Sequence, residues 1–476
     1  MNLIIIVFYI LIVTATGFFF AGKNESKKDY FLSGKSAGWG LVGISIMVTA
    51  FSTLNFVAVT AEVFSFGLFV LLSVPMFFII YFPVSKWFFP FYRDLPITSA
   101  YQYLEIRFDR KVRVSASAMF IVWKMIWMSV SLYAAGAALS AVSGISVNTV
   151  ILVAGITSIL YTVNGGMKAV MITDLLQFIV LFLGVCVILA VSYFSFEGGL
   201  GEIFSLAYST GTLKPFAPFD TQIFSPHWSV RISIWSTVLG TGIAFLARYG
   251  VDQVVVQRYL SAKNPDDIKK GFLLNAFAAA SVIVLIAAFG LFVKAYAVKN
   301  GIALPPLKTL ALFMNSLPAG LAGLLSAGLL AAMMSSIDSG INSCATAFFT
   351  DIYPSLSKKR VKFSLNKAKI ISAVIGLMSV AFAFPVPLLG SLFETVNKVV
   401  NGMGAPLLAL FVAGMFFKNI KAKSAFYGFI AGVIGSILVI AFIDDISLHY
   451  YAVINFGITV GFILIYDIFK KLTAKH

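Results

Sequence analysis

The sequence is short of charged residues, cysteine and histidine. Only 11% of its 476 residues are charged, and it contains 2 cysteines and 3 histidines. Both cysteines lie within apolar runs, which argues against a disulfide framework. No group of side chains has the spacing of metal ligands, of a phosphate-binding loop or of a nucleophile with its base. We therefore expect that the protein is not an enzyme.

Long hydrophobic runs make up most of the chain, which is 60% hydrophobic. Runs of about 20 residues recur from end to end, and each is long enough to cross a bilayer as a helix. The first run has no basic residue before it and no cleavage signal after it, so we interpret it as a membrane helix and not as a signal peptide. The pattern predicts an all-α membrane protein with about thirteen transmembrane helices. The predicted spans are 2–21, 39–65, 67–90, 115–142, 146–163, 169–194, 231–256, 271–297, 309–349, 370–390, 393–417, 424–443 and 447–468.

The placement of the basic residues, which give the net charge of +16, indicates how the chain is oriented across the membrane. Most lysines and arginines fall in loops on one side of the predicted bundle. The positive-inside rule places these loops in the cytoplasm, with the N-terminus outside and the C-terminus inside. We expect a multi-pass protein of a bacterial inner membrane, with the lipid bilayer as a partner and no nucleic acid.

Two predicted spans carry polar or glycine-rich interruptions. The span 39–65 has Ser52 and Asn55 at mid-depth, and the span 231–256 has Gly240 and Gly250. Such interruptions predict broken helices whose free backbone groups bind ions or substrate, although glycine also serves close helix packing. The two spans lie five apart, as expected for an inverted repeat. We predict one transporter domain over 1–476, with repeats at 39–194 and 231–417 and peripheral helices at 2–21, 424–443 and 447–468.

A run of polar residues lies inside the apolar span 309–349. A continuous helix there aligns Ser335, Asp338, Ser339 and Asn342 on one face, at offsets of three, four and seven. These oxygen-bearing groups are costly at bilayer depth unless they have a partner, and hard cations prefer oxygen ligands. Serines also bond back to their own helix. We interpret the face as part of a cation or substrate pathway.

Four further ionisable residues lie in predicted spans. Asp174 needs a cation, a proton or a basic partner, and Lys168 lies six residues away, off its helical face. Lys124 either attracts an anionic substrate or packs its stem and reaches the surface. Arg248 and Asp252 have the spacing of an ion pair within a helix.

Five motifs, in this order, resemble the sodium:solute symporter family. Members of that family share the five-plus-five inverted-repeat fold first described for a bacterial leucine transporter. The motifs are KDYFLSG at 28–34, ITSAYQYLEIRF at 97–108, the glycine pair and Thr-Asp of 165–174, YGVDQVVVQRY at 249–259 and SSIDS at 335–339.

The resemblance implies two sodium sites. The first uses main-chain carbonyls at the break of the second span and small residues of the ninth. The matching residues are Val48, Phe51, Ala332, Ser335 and Ser336. Sialic-acid members hold a second sodium, and the positions that match its ligands are Asp174, Ser335, Asp338 and Ser339. This sequence departs from those members at Asp338, where they carry serine.

The resemblance also implies a substrate site between the broken helices. The matching positions are Ser52, Asn55, Tyr249, Asp252 and Gln253. An arginine that binds carboxylate in sialic-acid members has no arginine counterpart here. The aligned residue is near Trp127, and Lys124 lies one turn before it.

We therefore expect a monomeric symporter that imports a small organic solute with Na+. The expected solute is an organic anion such as sialic acid or another carboxylate. Two alternatives stay open, namely a sodium-coupled sugar or inositol symporter and a proton-coupled symporter that uses Asp174 or Asp338.

Overall fold

The structure is a computed structural model. It describes residues 2–20, 26–93, 95–318, 320–356, 363–389, 392–443, 446–447 and 449–473. Within these ranges the regular secondary structure is helical, and β pairing is confined to isolated bridges. The predicted all-α class is confirmed.

The helices vary widely in length. The longer α-helices are Asn2–Phe19, Trp39–Ala50, Thr53–Phe66, Arg110–Ser143, Val147–Tyr193, Gly199–Ser209, Gln253–Ser261, Pro265–Lys299, Pro306–Ser316, Leu321–Ala347, Leu365–Ala383, Leu392–Phe416, Ala422–Phe442 and Tyr450–Thr473. The shorter ones are Lys27–Leu32, Val74–Ile79, Tyr81–Pro83, Phe89–Arg93, Gln102–Arg107, Ile234–Ser236, Gly242–Leu246 and Tyr353–Leu356. Short π or 3-10 helices are Ser33–Lys35, Leu68–Ser73, Val84–Phe88, Thr221–Phe224, Thr237–Thr241, Ala247–Val251, Phe348–Ile352 and Val386–Leu389.

Many of these helices match the dimensions of a membrane. In the described part of the chain, 9 helical segments are long and apolar enough to cross a bilayer, or 10 if one bent pair counts as a single span. Two predicted spans, 146–163 and 169–194, lie in Val147–Tyr193, whose 47 residues would reach roughly 70 Å only as one straight helix with 1.5 Å per residue. Gly166, with φ 64° and ψ −165°, interrupts its helical backbone. The chain is a multi-span membrane protein.

The predicted interruption near Ser52 is present. The helices Trp39–Ala50 and Thr53–Phe66 meet at 62°, and we call this pair the broken helix. Phe51 and Ser52 between them have extended backbone angles. The backbone N–H of Ser52 donates to Asn55 Oδ1 at 3.1 Å, which caps the second half. The two halves are therefore held at a defined break.

A second interruption lies in the predicted span 231–256. The helix contains π turns at Thr237–Thr241 and Ala247–Val251 and ends where Asp252 becomes extended (φ −69°, ψ 118°). The Asp252 side chain then accepts a hydrogen bond from the Val254 N–H at 2.9 Å and starts the helix Gln253–Ser261. Both predicted breaks are confirmed.

The predicted single span 309–349 consists of two helices, Pro306–Ser316 and Leu321–Ala347. Pro318 supplies no backbone N–H, and Gly320 has φ 100°, a conformation that glycine adopts without strain. Because the sequence is hydrophobic on both sides of this joint, hydrophobic composition alone predicted one span and not two helices.

The helix Leu321–Ala347, here called the serine-rich helix, lies at the centre of the bundle. Every residue from 325 to 347 is buried, and the helix contacts the broken helix, Arg110–Ser143 and Val147–Tyr193. By contrast, Asn2–Phe19 buries only Tyr9, Val13 and Gly17. The polar face predicted at 335–342 therefore points into protein, whereas the first helix presents most of its apolar surface outwards.

Close glycine contacts join the last two helices, Ala422–Phe442 and Tyr450–Thr473. A Cβ added at Gly428 would lie 2.4 Å from the Ile463 Cα, and one at Gly432 would lie 2.7 Å from the Thr459 Cα. The absence of a side chain at both glycines lets the two backbones approach closely.

We expect Gly428→Ala to lower the thermal stability of the purified protein. The new methyl group would meet backbone, so overpacking of about 1–3 kcal/mol exceeds the roughly 0.5–1 kcal/mol that alanine gains over glycine in a helix. The melting temperature in detergent measures this effect. The control is Gly457→Ala, since a Cβ at Gly457 meets nothing within 4 Å. Equal melting temperatures for the two variants would contradict the packing described.

Candidate functional site

Four oxygen atoms meet where the broken helix faces the serine-rich helix. The Ser335 hydroxyl donates to the Val48 carbonyl at 3.2 Å and to the Ala332 carbonyl at 2.9 Å. The Ser336 hydroxyl donates to the Ala332 carbonyl at 3.2 Å, and the Phe51 N–H donates to the Val48 carbonyl at 3.1 Å. All five residues predicted for the first sodium site thus lie together, and we call them the neutral oxygen cluster.

The chemistry of this cluster suits a monovalent hard cation. Carbonyl and hydroxyl oxygens are the ligands that such ions prefer, and no carboxylate is among them. The hydroxyl hydrogens now point at the carbonyls, so a cation would replace those hydrogen bonds and turn the hydroxyl oxygens towards itself. The cluster fits Na+.

Two of the residues predicted for a second sodium site, Asp174 and Ser339, contact an arginine. Arg258 Nη2 lies 3.2 Å from Asp174 Oδ2 and 2.5 Å from Ser339 Oγ. Its Nε donates to Ser45 Oγ at 2.9 Å, and its Nη1 donates to the Val254 carbonyl at 2.7 Å. The Arg258 and Asp174 side chains are both 0% exposed. A permanent positive charge therefore already occupies this part of the bundle.

Asp338 lies beside this ion pair but has only neutral partners. Tyr161 OH donates to its Oδ2 at 2.8 Å, and the Ser339 N–H donates to its Oδ1 at 2.5 Å. No basic side chain of the described residues forms a salt bridge with it. Asp174, Arg258, Asp338, Tyr161 and Ser339 form what we call the buried charge cluster. It contains two carboxyl groups and one guanidinium.

Two acceptor atoms at this cluster have no hydrogen-bond donor among the described residues. They are Asp174 Oδ1 and Gln177 Oε1, both buried and one helical turn apart. The Gln177 amide donates to Tyr161 OH at 3.4 Å. Buried acceptors without donors favour the approach of a proton or a cation.

Arg258 was missed by sequence reasoning, because it lies just beyond the predicted span 231–256 and so falls in a predicted cytoplasmic loop. Its signal was the polar run Gln257-Arg258-Tyr259 directly after the second interruption. Lys168 does not neutralise Asp174; its Nζ lies 5.8 Å from the centre of the Phe20 ring.

A cavity of about 170 Å³ lies beside the neutral oxygen cluster. Of the predicted substrate residues, Asn55 and Tyr249 line it, together with Phe51. A smaller cavity of about 30 Å³ is lined by Lys124 and Asp252. The two cavities share the wall residues Ala50, Ala244 and Arg248, so they are adjacent.

Ser52 and Gln253 line neither of these two cavities. The Ser52 hydroxyl donates to Asn55 Oδ1 at 3.2 Å. Gln253 Oε1 accepts from the Ala100 N–H at 2.7 Å, and its amide donates to the Thr98 carbonyl at 3.3 Å. In this conformation both side chains hold the backbone near the breaks.

The charged residues near the cavities form different pairs from those expected. Lys124 Nζ lies 2.5 Å from Asp252 Oδ2, so Asp252 pairs with Lys124 and not with Arg248. Lys124 also lies 4.5 Å from the centre of the Trp123 ring. An anion approaching Lys124 would therefore meet a cation that is already neutralised.

A bundle of membrane-length helices with two breaks, oxygen ligands at one break and a cavity beside them defines a transporter of the broken-helix class.

The sequence profile of the sodium:solute symporter family matches residues 30–432. The sodium/sialic acid symporter NanT of Aliivibrio fischeri is 30% identical over 471 residues, covering 96% of this chain and 90% of that protein. SiaT of Proteus mirabilis, also a sodium/sialic acid symporter, is 30% identical over 457 residues, covering 94% and 90%.

A solved structure agrees with these matches. The substrate-bound, outward-open structure of a Na+-coupled sialic acid symporter superimposes with a TM-score of 0.88 at 28% identity. The match covers 98% of this chain and 97% of that one. The chain belongs to the sodium:solute symporter family. It is a sodium-coupled symporter and not an enzyme, and Na+ is its coupling ion.

We expect Arg258→Met to destabilise the protein strongly, because it leaves the Asp174 carboxylate buried without its cation. Loss of one partner from a buried pair costs about 3–5 kcal/mol. The double variant Arg258→Met/Asp174→Asn removes both charges and should recover part of the loss. The melting temperature and the monodisperse fraction in size-exclusion chromatography measure both effects.

The matched control is Lys269→Gln, which removes one positive charge at an exposed position. It should leave both measurements unchanged. Two results would contradict a stabilising role of the Arg258–Asp174 ion pair. Either Arg258→Met would melt at the wild-type temperature, or the double variant would melt no higher than the single one.

Proposed function

We propose that the protein imports a small organic carboxylate, such as sialic acid, together with sodium bound at the neutral oxygen cluster. The observation that carries this proposal is the convergence of the Val48 and Ala332 carbonyls with the Ser335 and Ser336 hydroxyls at the break of a helix. A cavity of about 170 Å³ adjoins the same break through Phe51. Ion and solute would therefore bind to the two sides of one backbone segment.

Sodium in the neutral oxygen cluster would join the broken helix to the serine-rich helix. The Thr53 hydroxyl, which donates to the Leu329 carbonyl, already links the same two helices. Coupling requires that Na+ bind one conformation better than the other, and an ion that bridges two moving elements meets this requirement. Each Na+ that crosses supplies about 2.3 kcal/mol per 100 mV of membrane potential.

The preference for a carboxylate is supported by the relatives. Besides the two sialic acid symporters, the sodium-coupled monocarboxylate transporter 2 of Mus musculus is 27% identical, over 89% of this chain and 69% of that protein. Asn55 and Tyr249 are the predicted substrate residues that face the larger cavity, and we assign them to solute binding. A sodium-coupled sugar or inositol symporter remains the alternative within the family.

Several finer features belong to the same proposal. We assign about thirteen transmembrane helices, an outside N-terminus, an inside C-terminus and a bacterial inner membrane. The inverted repeats would occupy 39–194 and 231–417, each beginning with an interrupted helix, and 2–21, 424–443 and 447–468 would be peripheral. The protein would act as a monomer.

A second candidate function, coupling to protons, is favoured by the composition of the buried charge cluster. With both carboxyl groups ionised, Asp174, Asp338 and Arg258 sum to one negative charge in a site closed to solvent, which is costly. One further monovalent cation would balance it. This is either a second Na+, with Ser335 and Ser339 as further ligands, or a proton on Asp338.

We expect Ser336→Ala to weaken the sodium dependence of solute uptake. Removal of one of four neutral ligands should raise the half-saturating Na+ concentration about tenfold, which corresponds to about 1.4 kcal/mol. Uptake of labelled sialic acid or of a short monocarboxylate into proteoliposomes, measured against Na+ concentration, tests this. Ser436→Ala is the matched control, since its hydroxyl only donates to the Gly432 carbonyl of its own helix. An unchanged sodium curve for Ser336→Ala would mean that the ion site is misassigned.

Uptake without sodium distinguishes the second candidate from the first. We expect wild-type proteoliposomes in sodium-free buffer to accumulate no solute under an inward proton gradient, because the neutral oxygen cluster would lack its ion. Accumulation under those conditions, abolished by Asp338→Asn, would transfer the coupling role to a proton on Asp338.

A further inference from the structure

The larger cavity extends from the break of the broken helix towards one end of the bundle. Phe51 lines it at the break, and Glu62, Ile232 and His449 line it farther along. The predicted topology places these last three residues at the outer ends of their spans. The cavity therefore occupies the position from which an external solute would reach the break.

The acidic residue of this wall already has a cation. Arg231 donates to Glu62 through two nitrogens, with Nε 2.8 Å from Oε1 and Nη2 2.7 Å from Oε2. The Arg231 guanidinium also lies 3.8 Å from the centre of the Phe66 ring. Such a bidentate pair neutralises Glu62 and fixes it in place, so Glu62 adds no net charge to the cavity.

The basic residue of this wall is Arg248, and it has no carboxylate at ion-pair distance among the described residues. The acidic residue nearest to it in sequence, Asp252, is engaged by Lys124 at 2.5 Å. The Arg248 guanidinium has an aromatic neighbour instead, since it lies 5.6 Å from the centre of the Phe245 ring. Among the described residues, no carboxylate therefore balances the positive charge of Arg248 in the cavity wall.

The position of Arg248 sets it apart from Lys124 as an anion-binding group. Arg248 lines both the larger cavity and the smaller one, whereas Lys124 lines only the smaller of these two. An anion beside Lys124 would also lie beside the Asp252 carboxylate and be repelled by it. In the larger cavity, the carboxylate among the described lining residues is Glu62, and Arg231 neutralises it.

We propose that Arg248 binds the carboxylate of the transported solute, an inference that rests on the proposed function and names its anion-binding residue. The planar guanidinium presents paired donors that match the two oxygens of a carboxylate. Asn55, Thr241 and Tyr249 of the same wall offer hydrogen bonds to hydroxyl or amide groups. The volume of about 170 Å³ corresponds to about six water molecules at roughly 30 Å³ each. The solute is then a monocarboxylate with polar substituents and not a neutral sugar.

The test compares binding of a carboxylate with binding of its uncharged amide. In saturating Na+, the dissociation constants of sialic acid, of a short monocarboxylate and of the corresponding amides are measured for the purified wild type, Arg248→Lys and Arg248→Gln. We expect Arg248→Gln to weaken carboxylate binding at least tenfold and amide binding less than threefold. Arg248→Lys should fall between, because it keeps the charge but loses the paired donors.

Two controls keep the result interpretable. The stabilisation of each variant by Na+ alone reports folding and an intact ion site, and Lys269→Gln removes an exposed charge of the same sign. Carboxylate binding by Arg248→Gln within threefold of wild type, together with a loss in Lys124→Gln, would overturn the proposal in favour of Lys124. Equal losses for carboxylate and amide would also overturn it, because they indicate a structural role.

The wild type separates this proposal from the one on which it rests. If the wild type bound a neutral sugar and none of the carboxylates in a sodium-dependent way, the proposed carboxylate function and the role of Arg248 would both fall. If it bound carboxylate and Arg248→Gln did so equally well, only the role of Arg248 would fall.

Discussion

The buried pair of Arg258 and Asp174 joins the segment after the second helix break to the elements packed around the first break. Arg258 lies just after the second helix break, and its guanidinium reaches Ser45 of the broken helix and Ser339 of the serine-rich helix. Asp174 belongs to Val147–Tyr193. Four elements therefore share one charged network with no access to water. Because neither charge can be left alone in a medium of low dielectric constant, these elements must keep their relative positions or exchange partners together.

The broken helix also has buried polar groups that need partners, and there the partners are neutral. A helix that ends at mid-membrane leaves carbonyl oxygens without intrahelical donors, and these must be satisfied inside the protein. The Ser335 hydroxyl supplies a donor to the Val48 carbonyl. Hard cations prefer oxygens of this kind, so the groups that complete the fold at the break are also those of the proposed sodium site.

Charge pairing decides where an anion can bind. Lys124 and Asp252 neutralise each other, as do Arg231 and Glu62. Each pair neutralises its own charges, so that among the described residues of these walls Arg248 carries a positive charge without a carboxylate at ion-pair distance. Single charged residues read along the chain do not reveal this, because the free charge of a site is a sum over partners that come from different helices.

By itself, the sequence determined the helical class, the multi-span character and both helix breaks. These features follow from local patterns, since hydrophobic length and polar interruptions act within a few turns of one helix. The residues of the neutral oxygen cluster were predicted from the family resemblance and not from such a pattern. Tertiary structure decided the joint at Pro318 and Gly320, the burial of Arg258, and the pairing of Asp252 with Lys124 in place of Arg248. The reason is physical: the energy of a buried charge depends on its nearest counter-charge. For Asp174 and Asp252 that counter-charge lies 84 and 128 residues away along the chain, where no spacing rule applies.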